Sequence, residues 1–129
     1  MRENKMNNEI LKQMKKIFYS KEYEYIDWMG YRITDVNKPS YHHITKAETL
    51  KKNGEEIVAN IDNGAYLGKK SHELLHKIEL IDKELYNSWN ELFLDINKER
   101  KYPSDILLER IFDLNNMTNS LIDTKKNHI

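Results

Sequence analysis

Apolar residues recur at three- to four-residue steps in Met6, Ile10, Met14, Ile17 and Phe18, with lysines on the other side. That spacing marks one face of a helix and predicts a packing helix over residues 4–19. Residues 22–36, EYEYIDWMGYRITDV, are dense in Tyr, Ile and Trp around Met29-Gly30. They predict a β-hairpin or two short strands. Pro39 marks a break, after which Tyr41–Thr45 reads as a strand. Residues 46–60 are a polar connection with a turn signal at Asn53-Gly54 and a candidate helical turn over Ala47–Lys52. Ile61–Leu67 reads as a second strand, and Gly68-Lys69-Lys70-Ser71 leads into a helix with Ser71 as its N-cap. From there Leu75, Ile78, Ile81, Leu85, Trp89, Leu92 and Ile96 repeat at helical steps as far as Arg100. Asp82 fits either a kink or a break in this run. Tyr102-Pro103-Ser104 ends it. A last helix is expected over residues 104–116, carried by Ile106, Leu107, Ile111, Phe112 and Leu114, with a polar, frayed tail from Thr118. No internal repeat or linker divides the chain, so the expectation is one domain over residues 1–129, of α+β class.

Composition narrows the partners. With 129 residues the chain can bury a real core. Lys plus Arg equals Asp plus Glu, 21 each, which excludes a polybasic coat for nucleic acid but leaves room for a local basic patch. There is no Cys, so disulfides and thiolate-bound zinc are excluded. No stretch approaches the length and apolarity of a membrane span, and the N-terminus lacks an apolar signal segment. The expectation is no membrane contact and a cytoplasmic location.

Four of the five histidines fall into one short arrangement: His42-His43, then Asn63, then His72 and His76. Residues at i and i+4 share a helix face, so His72 and His76 can grip one metal ion. Each piece also has a plain structural reading. His-His can be a surface strand pair, HxxxH an exposed helical pair, and Asn63-Gly64 a β-turn.

Taken together, Tyr41-His42-His43-Ile44, Ile61-Asp62-Asn63-Gly64-Ala65-Tyr66-Leu67 and Ser71-His72-Glu73-Leu74-Leu75-His76 resemble the HNH nucleases, also called ββα-metal or His-Me finger enzymes. The nearest likeness is to the DNase domains of colicins, and the wording also looks like small phage and Firmicute-type HNH proteins. It covers about residues 38–80, between the N-terminal helix and C-terminal helices over 81–117. The resemblance implies a ββα-metal unit, here with an aromatic β-hairpin before it and long α-helices around it. It implies His42, His72 and His76 as ligands of a divalent ion (Zn, Ni, Mg or Mn). It further implies His43 as the general base and Asn63 as the residue that orients it through its side-chain carbonyl. Adjacent strand residues point to opposite faces, so His42 and His43 can serve one phosphate only where the strand ends or twists. The function so implied is a metal-dependent endonuclease acting on nucleic acid, with DNA favoured. The alternative is a catalytically silent HNH-fold accessory module that binds nucleic acid or protein.

Other residues add less. Lys46, Lys69 and Lys70 flank the motif and are candidate phosphate contacts, with Lys51 and Lys52 beside them. Tyr23, Tyr25, Trp28 and Tyr31 could stack on bases, although an aromatic strand is more often core. Asp82, Glu84, Glu91 and Asp95 form an acidic helix face. The long amphipathic helix carries a third reading, a helical interaction protein that forms a stable oligomer, such as a homodimer through that helix, and binds no metal.

Overall fold

The computed structural model describes residues 2–20, 25–45 and 60–127. They form helix α1 (Arg2–Phe18), strand β1 (Pro39–His43), a 3-10 turn (Ile61–Asn63), strand β2 (Gly64–Gly68) and helices α2 (Lys69–Ile81), α3 (Lys83–Glu99) and α4 (Asp105–Asn127). The two strands are antiparallel neighbours, with Tyr41 opposite Tyr66 and His43 opposite Gly64. Helices around this small sheet make an α+β architecture. Lys46, Lys51, Lys52, Tyr23 and the turn signals over 47–54 lie outside the described residues.

The core forms where the helical stripes meet the sheet. Met14 and Phe18 of α1, Tyr66 and Leu67 of β2, Leu75 and Ile78 of α2, and Leu85, Trp89, Leu92, Phe93 and Ile96 of α3 are all buried. Phe18 meets Trp28 edge-on at 5.0 Å, and Trp89 stacks on Phe93 at 5.8 Å between ring centres. The stripe expected along α2 and α3 is therefore spent inside the chain, apart from Ile81, which is half exposed.

Several elements differ from the sequence expectation, each for a local reason. Among the described residues, the aromatic segment pairs through isolated bridges, Ile26 with Arg32 and Thr34 with Asn37. Asp27 replaces the ladder. Its carboxylate accepts from the N–H groups of Met29, Tyr31 and Gly68, tying the loop to the end of β2. The loop turns at Gly30, whose φ of 87° suits glycine. Trp28 is fully buried there, so it is a core residue and not a stacking platform.

The first strand begins at Pro39 and stops at His43, not Thr45. Pro39 occupies the first position, where a missing N–H is tolerated. Beyond His43, the side-chain amide of Asn63 takes both backbone groups of Thr45. The second strand starts at Gly64 because residues 61–63 turn under the Asn60 side chain, which accepts from Asn63 N.

Ser71 is not an N-cap. Helix α2 starts at Lys69, and its first turn is capped from a distance by Asn37 Oδ1, which accepts from Lys70 N at 2.9 Å. Asp82 is a break. It leaves the helical region at φ −145°, ψ 92° and caps α3 by accepting from Leu85 N. The last helix runs on to Asn127 instead of ending near Asn116, because Thr118 is buried and hydrogen-bonded to Trp89.

Candidate metal centre

Strand β1 sorts its side chains by alternation. Ser40 and His42 face α2 and α3, while Tyr41 and His43 share the other face, ring against ring at 4.7 Å. On α2, His72 and His76 lie one turn apart with ring centres 4.7 Å from each other. The His42 ring meets them edge-on, at 5.2 Å from His72 and 6.1 Å from His76. One ligating nitrogen from each of the three lies within 4.8 Å of the others. Residues 30 and more apart in sequence thus converge close enough to hold one metal ion.

The surroundings are graded. His42 is buried, His72 half-buried and His76 exposed, so the cluster opens to solvent on the His76 side. Helix α3 forms its floor, with Tyr86 and Phe93 edge-on to the His42 ring. Burial holds the His42 imidazole down to about 3, against a weaker opposing effect of its hydrogen bond to Asn90. Burial likewise lowers His72 to about 4, helped by the neighbouring histidines. Both rings are therefore neutral at physiological pH, the form that binds metal.

Three polar partners escaped the sequence reading. Nε2 of His42 stands 2.9 Å from Asn90 Oδ1, and Nδ1 of His72 stands 2.9 Å from Ser40 Oγ. Nδ1 of His76 faces Glu79 Oε1 at 3.8 Å. Of these, Glu79 could be sought at i+3 on the helix and Ser40 two residues before His42 on the strand. Asn90 carries no sequence signal, because α3 reaches the site only by packing.

Compared with known proteins, the chain matches no family, no curated protein and no solved structure.

Asn63, expected within the second strand, closes the turn before β2, and its side-chain carbonyl accepts from Thr45 N at 2.8 Å. Its own backbone carbonyl accepts from Ile44 N. Asn63 thus fixes the backbone just past His43. Lys69 and Lys70 are exposed at the start of α2. Lys69 precedes His72 by one helical turn. Lys70 instead lines a cleft with Tyr31, Arg32, Asn37, Ser71 and Leu74, on a different face of the helix. Lys46 lies outside the described residues. On the acidic face, Asp82 is a helix cap and Asp95 pairs with Arg110 at 2.7 Å. Among the described residues no helix is long and apolar enough to cross a membrane.

Proposed function

We propose that this chain is a metal-dependent endonuclease of the HNH kind, hydrolysing phosphodiester bonds, with DNA as the favoured substrate. The observation that carries this reading is the convergence of His42, His72 and His76, adjoining His43 in the order that the sequence resemblance implies. Three imidazole ligands suit a borderline ion such as Zn or Ni better than Mg or Mn, which prefer oxygen ligands. They also leave a coordination position for substrate. The ion, when bound, would offset negative charge on the phosphate and the leaving oxygen. His43 is the base: it takes a proton from water, the hydroxide oxygen bonds to phosphorus, the phosphorus–ester oxygen bond breaks, and the leaving oxygen takes a proton from a second water. Asn63 serves by pinning the backbone at Ile44 and Thr45, which sets the position of the strand end that carries His43. Lys69, exposed one turn before His72, is the favoured candidate phosphate contact.

A second reading has a specific observation in its favour. His42 and His43 lie on opposite faces of β1, and the Asn63 carbonyl is engaged by Thr45. A metal-binding module without cleavage accommodates both facts. Divalent-dependent nicking of supercoiled plasmid separates the readings. The enzyme nicks, and His43→Ala lowers the rate by about 10²–10⁴-fold while metal affinity stays near the parent value. A chain that binds metal stoichiometrically and never nicks DNA or RNA is the silent module.

A further inference from the structure

The amide of Asn90 is the polar group that α3 presents to the buried ligand of the cluster. Its Oδ1 lies 2.9 Å from Nε2 of His42. An amide oxygen can only accept, so Nε2 carries the proton. A neutral imidazole holds one proton, so the lone pair then resides on Nδ1. The rest of the ring is walled in by Tyr86 and Phe93, with His72 and His76 on the open side.

We propose that Asn90 is a positioning residue that locks His42 in the Nε2–H tautomer and makes Nδ1 its metal-binding atom. This rests on the metal reading above but not on cleavage. Without Asn90, the ring is free to rotate about its Cβ–Cγ axis or to carry its proton on Nδ1. Rotation turns the Cδ2–H toward His72 and His76, and the other tautomer turns an N–H toward them; each removes a ligand. Ser40, two residues before His42 on β1, occupies Nδ1 of His72 and leaves Nε2 of that ring for the ion. The centre would thus be bound through Nδ1 of one histidine from the strand and Nε2 of a histidine from the helix. Outer hydrogen bonds of this kind hold ligands in place, and their loss typically lowers metal affinity by about 10–100-fold.

The test uses the full chain with ¹⁵N-labelled histidine, read by long-range ¹H–¹⁵N correlation with and without Zn. In the parent, metal-free His42 is expected as the Nε2–H tautomer, and Zn should shift its Nδ1 resonance while Nε2 keeps its proton. Asn90→Leu, close in shape but with no acceptor, should lose this single tautomer and bind Zn about 10–100-fold more weakly. Asn90→Asp, which restores an acceptor at the same place, should recover both. A merely structural Asn90 would not give rescue by Asp together with a tautomer change.

Coordination of His42 through Nε2 in the parent overturns the proposal, even if Asn90→Leu fails to fold. So does an Asn90→Leu protein with unchanged tautomer and affinity. Stoichiometric Zn binding without nicking sinks the nuclease reading and leaves this one standing. Absence of Zn binding sinks both.

Discussion

Nε1 of Trp89 donates to Oγ1 of Thr118 at 3.0 Å, and both residues are fully buried. The bond ties α3 to a part of α4 whose sequence is polar. Thr118→Val preserves the shape but strands a buried indole N–H, which costs roughly 1–3 kcal/mol. Trp89→Ala removes the aromatic body as well and should cost about 3–5 kcal/mol. Urea unfolding should show both midpoints lowered in that order. A Thr118→Val midpoint equal to the parent's would mean that this bond contributes nothing net.

Titration calorimetry of the parent should give about one Zn or Ni ion per chain. The double variant His72→Ala, His76→Ala should lose that site. Bound metal favours the folded state by mass action, about 2.7 kcal/mol at a free concentration of 100 times Kd. Zn should therefore raise the melting temperature of the parent and leave the double variant unmoved. Equal shifts in both would place the metal elsewhere.

Acid should unfold the metal-free protein from an unusually high pH. His42 and His72 are held down to about 3 and about 4 when folded, against an ordinary value near 6.5 when unfolded. Between those limits the unfolded chain binds protons that the folded one does not, so stability falls as pH drops through 6.5 toward 4. Asp27 acts in the opposite sense, since burial raises its carboxyl, but it is one group against two. Chemical denaturation from pH 8 to pH 4 should show a flat plateau and then a decline starting near 6.5. The variant His42→Phe should shrink the decline. A plateau that extends to pH 4 in the parent would contradict the burial of these rings.

Gly68 and Asn37 hold the strand-to-helix junction that aims His72. A Cβ at Gly68 would collide with the Asn37 side chain. That side chain cannot give way without losing its bonds to Arg32 O and Lys70 N. Gly68→Ala should therefore destabilise by about 1–3 kcal/mol through overpacking, and should weaken Zn binding along with it. Gly68→Ala with parental stability and affinity would show that the junction tolerates movement.

The i, i+4 spacing already placed His72 and His76 on one helix face, because a helix fixes its own neighbours. The apolar period likewise marked Leu75, Ile78, Leu85, Trp89, Leu92 and Ile96 as core, and all six are buried. The α+β mixture was legible for the same reason: local periodicity of two or 3.6 is a property of the chain itself. What packing decided was of another kind. The arrival of His42 at the helical pair depends on the β1–β2 register, set by Gly64–Gly68 opposite Pro39–His43. Asn90 at His42, Asn37 capping α2 and Thr118 under Trp89 are contacts between residues 29 to 48 positions apart. No local pattern encodes them. Each is a polar group made affordable in the interior only by a partner that the tertiary fold delivers, which is why Thr118 read as a frayed tail and Asn90 gave no signal.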